Sequence, residues 1–466
     1  MMVPRIILIG ISGLILFPAA YWLNHGSGNP WPAIAATLVW GAVTIADAVI
    51  GRGRIRTLEI AAAPVVRMTA ERPGRIDLTI RKPAAMKGPL RLGLALPPAF
   101  ISDHPDLTIH TRDGKKAYGV SWPCTTSQRG RFPLIRCHME RRSPLGLWAL
   151  RRRFELSSEL RVYPNLTDGR HGLAGLFRRN EWGLHTQRRL GKGREFEQLR
   201  DYLPGDSFED IDWKATARRR RPVTRVFQVE QAQEIYVILD ASRLSTRPAA
   251  YLTERREKQR KSESITGRSP ADRTKPDRAT IIDRYVVAAL AMAVVAEQQS
   301  DRYGLLVFSD KTDCFIRAGQ GHAHYNACRE VLYDRRASLV SPDFDELFTF
   351  IGTHIRKRAL MVFLTSLDDP MLADSFEHSL SSTARRHMVM INMFRPPGAY
   401  PLFSSADVHS PRGIYQHLAG HTLWESLIET RRRIRRHGAG FELLDQARLS
   451  SQLVQQYLNI KQRQVL

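Results

Sequence analysis

Residues 234–242 have the sequence EIYVILDAS, an apolar run that ends in a carboxylate, an alanine and a hydroxyl. Three later segments are also apolar runs: YGLLVFS at 303–309, ALMVFLT at 359–365 and HMVMINMF at 387–394. Strands that are apolar throughout are buried on both faces, which is typical of parallel sheets covered by helices. The pattern predicts an α/β domain with a doubly wound parallel sheet over 234–466.

Two segments between these runs differ in composition. Residues 279–299, ATIIDRYVVAALAMAVVAEQQ, form an apolar helix whose core is too short to cross a membrane, so we expect it to pack on the sheet. Residues 243–277 are rich in charge, Ser and Pro, and they contain too few apolar groups to offset the entropy of ordering. We predict a mobile insert there, either a solvated linker or a basic tether.

The first 56 residues have the composition of a membrane hairpin. Residues 6–23 carry no charge and residues 31–50 carry one, Asp47, near the far end. A helix needs ~20 apolar residues to span a bilayer, so each segment can do so. A cleaved signal peptide is the alternative for the first segment, but a second span follows closely. We therefore predict two transmembrane helices within 1–56.

The orientation of that hairpin follows from its flanking charges. Arg5 precedes the first segment and Arg52, Arg54 and Arg56 follow the second, whereas residues 24–30 have neither Lys nor Arg. By the positive-inside rule both ends face the cytoplasm. The expected location is the bacterial inner membrane, with both termini and the soluble domains cytoplasmic.

The overall charge points to an acidic partner. Lys and Arg number 70 against 46 Asp and Glu, a formal net charge of +24. Anionic lipid headgroups, nucleic acid and acidic proteins all fit this excess. Basic side chains near an anionic leaflet gain ~1 kcal/mol each, which makes lipid the favoured partner and nucleic acid the less expected one. The four cysteines, Cys124, Cys137, Cys314 and Cys328, have no disulfide or zinc spacing and are interpreted as reduced thiols.

Two regions lie between the membrane segment and the α/β domain. Residues 57–165 alternate short apolar runs with Pro- and Gly-containing turns, which predicts a small antiparallel β domain. Residues 166–233 are polar, first acidic and then basic, with little periodicity.

Oxygen-bearing side chains follow the first predicted α/β strand. Asp240 and Ser242 would lie at the carboxyl edge of the sheet, and they are hard donors suited to Mg²⁺ or Ca²⁺. Here the chain resembles the von Willebrand factor A fold, whose adhesion metal site begins with Asp-x-Ser-x-Ser. Leu244 stands at the second serine position and Ser366 where an acid is expected, with Asp368 two residues on. The resemblance implies a degenerate site of Asp240, Ser242 and Asp368, which either binds Mg²⁺ weakly or keeps its shape without an ion.

The segment GKGREFEQLRDYLPGDSFEDIDWKATARRRRPVTRVFQVE, residues 191–230, is similar to the hallmark of bacterial domain-of-unknown-function family 58 (DUF58). The hallmark positions are Gly193, Glu195, Arg200, Tyr202, Gly205, Asp206, Asp212, Trp213 and Arg218. Glu209 stands where the family usually has Arg. The resemblance implies a membrane-anchored, non-enzymatic scaffold with a von Willebrand A-like domain. It also implies a MoxR-type AAA+ ATPase as partner, in maturation or remodelling of a protein complex.

Read physically, the hallmark predicts an acid–base network with large apolar anchors. Arg200 and Arg218 can pair with Asp206 and Asp212, and Trp213 can anchor the segment.

Two other functions fit the same residues. One is a metal-dependent nuclease that uses Asp206, Asp212 and Lys214, and the other is a membrane-tethered nucleic-acid-binding protein. The sequence has no Walker loop, G-x-S-x-G elbow or dinucleotide fingerprint. We therefore expect no enzymatic activity, and energy input from a partner.

Overall fold

A computed structural model describes most of the chain. The described residues are 2–25, 31–82, 88–111, 117–166, 190–203, 208–228, 233–249, 279–401, 411–445 and 448–463. The chain divides into two compact units, Met1–Asn165 and Leu166–Leu466.

The first unit begins with two helices, α1 (Ile6–His25) and α2 (Trp31–Arg56). They lie side by side, and the indole Nε1 of Trp40 donates a 3.1 Å hydrogen bond to the hydroxyl of Ser12. Within the described residues, α2 is the one helix long and apolar enough to cross a membrane, judged by length and composition. The apolar part of α1, Ile6–Trp22, is shorter.

The β strands of the first unit form two main sheets. The strands are β1 (Met2–Pro4), β2 (Glu59–Ala62), β3 (Val65–Thr69), β4 (Gly74–Arg81), β5 (Gly88–Leu94), β6 (Phe100–Ile101), β7 (Leu107–Thr111), β8 (Ala117–Thr126), β9 (Gly130–Arg142) and β10 (Trp148–Tyr163). One sheet has the order β1-β10-β9-β5-β7, with β3 also on β10, and the other β2-β4-β8-β6. Both contribute to one apolar core that includes Leu78, Leu92, Trp122 and Leu160.

One strand pair departs from the antiparallel pattern predicted for this region. Strand β3 pairs with β10 in parallel, with Val65 opposite Glu159 and Thr69 opposite Tyr163. Strand β10 is 16 residues long, so one of its edges accepts β1 at its start and β3 at its end. Apolar alternation indicates which face of a strand is buried but not which way its neighbour runs.

The second unit contains a small two-stranded module and a large α/β sheet. The module consists of β11 (Leu190–Asp201), α3 (Trp213–Arg219) and β12 (Val223–Gln228). The α/β elements are β13 (Glu234–Asp240), α4 (Ile281–Gln298), β14 (Arg302–Phe308), β15 (Thr312–Gly319), α5 (His322–Leu332), α6 (Phe344–His354), β16 (Leu360–Leu364), α7 (Pro370–Arg386), β17 (Met388–Phe394), α8 (Pro411–Arg436), β18 (Gly440–Leu444) and α9 (Leu449–Gln462).

The large sheet has the strand order β15-β14-β13-β16-β17-β18. The antiparallel edge strand β15 pairs with β14, and the remaining pairs are parallel. The four apolar runs of the sequence form β13, β14, β16 and β17, as predicted, and β15 and β18 extend the sheet at its two edges. Counted along this unit the order is 3-2-1-4-5-6, in which the direction of winding reverses between β13 and β16.

Helices cover both faces of this sheet because its strands are apolar on both sides. Val237 and Leu239 face a core shared with α4, α5 and α9. Tyr236 and Ile238 face a second core, shared with α6, α7 and α8. The carboxyl ends of β13 and β16 therefore meet at one edge, at the point where doubly wound sheets form a crevice.

Candidate functional site

The carboxyl edge of β13 and β16 holds a buried polar network centred on Asp240. This side chain is fully buried, and its Oδ1 accepts a 2.8 Å hydrogen bond from the backbone N–H of Ser242. Its Oδ2 accepts a 2.6 Å hydrogen bond from the hydroxyl of Thr365, directly after β16. One carboxylate thus links the two strands at the reversal of the sheet. We call this edge, residues 240–247 with 338–341 and 365–371, the rim.

Burial and hydrogen bonding act in opposite directions on this carboxylate. Burial raises the pKa of Asp240, against the lowering effects of its bonds to Ser242 and Thr365 and of the charge on Arg247. Behind it, the hydroxyl of Tyr285 donates a 3.3 Å hydrogen bond to the carbonyl of Thr365, and burial raises the pKa of this phenol. The network continues from the loops into α4.

The turn after β13 is tied to the core. The Ser242 hydroxyl accepts a 3.3 Å hydrogen bond from the N–H of Leu244 and caps a short 3₁₀ turn, Arg243–Thr246. Leu244 is buried in the domain, and Pro248 forms a bridge to Thr280. Residues 243–249, predicted from the sequence to belong to the mobile insert, therefore have a defined structure, and 243–247 are part of the rim. The rest of that insert, 250–277, lies outside the described residues.

The guanidinium of Arg247 lies next to Asp368, the other predicted acidic ligand. Arg247 Nη1 lies 2.5 Å from Asp368 Oδ2, and Asp368 Oδ1 is buried with no hydrogen-bond partner among the described residues. Both oxygens of Asp240 are already used within the protein. Protein donors therefore occupy both oxygens of Asp240 and one oxygen of Asp368. In the described part of the chain, no three His, Cys, Asp or Glu side chains are grouped as metal ligands.

The surface of the rim combines apolar groups with paired charges. Arg243 Nε donates a 3.1 Å hydrogen bond to the hydroxyl of Ser341, and its Nη2 lies 3.9 Å from Asp369 Oδ2. Leu339, in the loop held by Arg243, is 86% exposed, and Met371, at the start of α7, is 81% exposed. Asp369 caps α7 by accepting a 3.0 Å hydrogen bond from the N–H of Met371. The exposed apolar groups are therefore carried on fixed backbone.

The hallmark module has a second aspartate with both oxygens engaged. Asp212 caps α3, where its Oδ1 accepts a 2.9 Å hydrogen bond from the N–H of Ala215. Its Oδ2 lies 3.0 Å from Nε of Arg225 on β12. These two contacts lower the pKa of Asp212. Arg225, which the sequence analysis did not single out, is thus its ion-pair partner, and spacing alone gave no signal for this choice among many arginines.

The large apolar residues of this module point to recognition more than to anchoring. The predicted anchor Trp213 is 66% exposed, and Phe208 and Leu203 are exposed as well. The rings of Tyr202 and Phe208 contact each other at 6.0 Å between centroids. A cap followed by an exposed tryptophan is a way of presenting an aromatic group to solvent.

Several predicted hallmark residues cannot be placed in this network. Gly205 and Asp206 lie outside the described residues. Gly193 and Glu195 lie on β11, where only the backbone is described. Lys214 and Arg218 are exposed on α3. Because Asp206 lies outside the described residues, the arrangement of acids and lysine in the nuclease alternative stays a prediction.

Comparison with known proteins gives one informative match. The model of the family described as "Protein of unknown function DUF58" matches residues 198–267 and 250–399, less than half of the chain. The match supports this family for the hallmark module and for most of the α/β sheet. The comparison with curated proteins gives no match.

Two solved structures align with short parts of the chain. A protein of unknown function from Porphyromonas gingivalis W83 aligns at 15% identity and a TM-score of 0.16, over 23% of this chain and 49% of that chain. Murine CRIg aligns at 17% identity and a TM-score of 0.13, over 22% of this chain and 97% of that chain. TM-scores this low have no bearing on the fold. The present chain thus spans about half the length of the first of these proteins.

Proposed function

We propose that this protein is a membrane-anchored, non-enzymatic scaffold whose α/β unit is a von Willebrand A-like domain that docks a protein partner without a metal ion. The observation that carries the proposal is the state of the rim. Both oxygens of Asp240 are satisfied by protein donors, and Asp368 is paired with Arg247. In such a rim, protein donors take the places that a metal ion would occupy at Asp240, and Arg247 balances the charge of Asp368, as expected of a docking surface that works without a bound ion.

Two features support a von Willebrand A-like domain. The sheet has a doubly wound order, and the Asp240-Ala-Ser242 motif lies at its reversal point, where such folds bind ligands. The family match covers the same part of the chain.

In this proposal the guanidinium of Arg247 supplies the positive charge at the rim. Its contact with Asp368 neutralises one carboxylate, and its field also favours ionised Asp240. A tethered cation of this kind makes the shape of the rim independent of the metal concentration.

The docking surface would be the exposed apolar groups of the rim and of the hallmark module. Protein interfaces are enriched in aromatic residues, Met and Arg, and a few such side chains dominate the binding free energy. Leu339 and Met371 flank Arg243 at the rim, and Phe208 and Trp213 are exposed on the module. A MoxR-type AAA+ ATPase is the partner that the DUF58 resemblance implies.

Membrane anchoring in this proposal rests on the α1–α2 pair. Helix α2 has the length and composition of a span, and Arg52, Arg54 and Arg56 end it. We propose that α1 completes a hairpin in the bacterial inner membrane, with both soluble units on the cytoplasmic side.

Capture of a MoxR-type ATPase from the same organism by the detergent-solubilised full-length protein tests this function. We expect capture to survive EDTA and to be lost in Met371→Glu or Trp213→Glu. Ile135→Glu, at an exposed apolar position on β9, is the control and should leave capture intact. Loss of capture in EDTA with recovery in Mg²⁺ would instead make Asp240 and Ser242 true ligands.

The same purified protein separates the two alternatives. Mg²⁺-dependent cleavage of nucleic acid that disappears in Asp212→Asn would favour the nuclease. Binding to nucleic acid with a salt slope of several phosphates would favour the tethered binder. The scaffold predicts neither result, and the use of Asp212 as a helix cap supports that expectation.

A further inference from the structure

The tip of the β9–β10 hairpin, Ser143–Leu147, is a hydrogen-bonded turn of the first unit. The N–H of Ser143 donates to the carbonyl of Trp148 at 2.9 Å, and the N–H of Gly146 donates to the carbonyl of Ser143 at 3.0 Å. The Ser143 hydroxyl also accepts a 2.9 Å hydrogen bond from the N–H of Trp148. Gly146 has φ 77°, a left-handed conformation that side chains disfavour. The tip is therefore a defined turn.

Helix α2 holds this tip through its single acidic residue. Asp47 is 2% exposed, and its Oδ1 accepts a 2.9 Å hydrogen bond from the N–H of Leu145. One turn earlier, the carbonyl of Thr44 accepts a 3.0 Å hydrogen bond from the indole of Trp148. The hairpin thus engages one oxygen of a buried acid in an apolar helix.

The residues before α1 hold the same tip from a second direction. The N–H of Arg5 donates to the carbonyl of Leu147, and Arg5 Nη1 donates to the carbonyl of Gly146, both at 3.1 Å. Strand β1 pairs with the start of β10, with Pro4 opposite Trp148. The tip therefore lies where both helices meet the sheet.

The position of these contacts along α2 sets the depth of the tip. The apolar run ends at Ile50, and Thr44 lies six residues before it, about 9 Å along the helix axis. If α2 crosses a bilayer, Leu145 is held at the level of the interface between headgroups and acyl chains. Leu145 is 62% exposed, in a tip whose other apolar residue, Leu147, is buried.

Two arginines lie at the base of the tip. Arg141 and Arg142 end β9, opposite Leu150 and Ala149, and Arg142 is exposed. Burial, and the charge of nearby Arg54, lower the pKa of Arg141. Arg141 is only 7% exposed, so of these two guanidinium groups Arg142 is the one that a phosphate outside the protein can reach.

We propose that the hairpin tip Ser143–Leu147 is a separate contact with the membrane, in which Leu145 enters the lipid interface and the exposed Arg142 binds the phosphate of an anionic phospholipid. This inference rests on the membrane anchoring proposed above. It assigns to the β domain a lipid-binding surface distinct from the helices. Exposed apolar groups next to cationic ones are the composition of interfacial anchors.

Site-specific fluorescence in proteoliposomes tests this contact. The full-length chain carries Cys314→Ser, because the three other cysteines are buried, and one new cysteine labelled with an environment-sensitive dye. Leu145→Cys reports the tip, Val39→Cys reports α2 and Ile135→Cys reports a solvent-exposed strand position. Nitroxide-labelled phospholipids are the quencher.

We expect strong quenching at positions 145 and 39 and little at 135. Quenching at 39 without quenching at 145 would overturn the hairpin contact and leave the anchor in place. Absence of quenching at 39 would overturn the anchor itself, and the hairpin contact with it.

The headgroup part is tested by lipid composition. The blue shift at position 145 should be larger in phosphatidylcholine vesicles that contain phosphatidylglycerol than in phosphatidylcholine alone. Arg142→Gln should reduce that difference. Arg136→Gln, which changes an exposed arginine on β9 farther from the tip, should not. Equal shifts in both vesicle types would overturn the role of Arg142.

Discussion

The rim and the hallmark module each contain one aspartate with two engaged oxygens, but the two carboxylates have opposite electrostatics. Asp240 is enclosed, and burial raises its pKa. Asp212 lies near the surface, where the N–H of Ala215 and the side chain of Arg225 lower its pKa. An enclosed carboxylate fixes the geometry of its surroundings, whereas a carboxylate at a helix start fixes only a local turn. The comparison indicates that Asp240 fixes the shape of the rim, whereas Asp212 fixes a local turn from which Trp213 is exposed.

The largest effect is expected from Asp240→Ala. The substitution leaves the N–H of Ser242 and the hydroxyl of Thr365 buried without an acceptor, at a cost of ~1–3 kcal/mol each. We expect the free energy of unfolding to fall by at least ~2 kcal/mol in chemical denaturation of the detergent-solubilised protein.

Asp240→Asn is the matched control for that variant. An amide can accept from Ser242 and donate to Thr365, and it removes a charge that burial disfavours above the unfolded pKa of 3.8. Stability at neutral pH should stay equal or rise. Equal destabilisation by Asn and Ala would show that the negative charge itself is needed, as it is for a metal ligand.

The next effect is on binding through the module. Trp213→Ala should weaken capture of the ATPase by at least tenfold, because exposed tryptophans at interfaces are often hot spots worth ~2 kcal/mol. Its melting temperature should be almost unchanged, since the side chain is already in solvent. Unchanged affinity, measured by interferometry, would move the docking surface to the rim alone.

Arg247→Met tests whether the guanidinium of Arg247 takes the place of a bound metal ion. The pair with Asp368 is partly exposed, so its loss should change stability little. Removal of the guanidinium leaves two carboxylates near one another, and Mg²⁺ should then raise the melting temperature of the variant but not of the parent protein. A parent protein that responds to Mg²⁺ would contradict the role given to Arg247.

The smallest effect is expected from Asp212→Asn, and it should depend on pH. Because the folded pKa of Asp212 is lowered, its contribution is present above 3.8 and is lost as the pH falls through the folded value. The variant should melt slightly lower than the parent at neutral pH, and the two should converge below 3.8. A gap that persists in acid would mean that the ion pair with Arg225 is unimportant.

The sequence predicts the sheet better than the contacts at its edge. Four strands are evident from their apolar runs, since burial on both faces leaves a clear pattern. Strand β18, GFELL, is partly polar and escapes that criterion. The Asp240 motif is visible in the sequence too. The hydrogen bond from Thr365 to Asp240 and the pairing of Arg247 with Asp368 are not, because they depend on loops that meet only in the folded chain. The role of Asp47 has the same origin, because Leu145 is 98 residues away.

The pairing of β1 with β10 has a consequence for the order of events during synthesis. Met2–Pro4 can join the sheet only after Trp148–Leu150 has left the ribosome, so the first strand waits for almost the whole unit. Until then its apolar and backbone groups remain available for incorrect pairing. A tag fused directly before Met2 would hinder the late pairing of β1 with β10, so expression trials should place tags elsewhere.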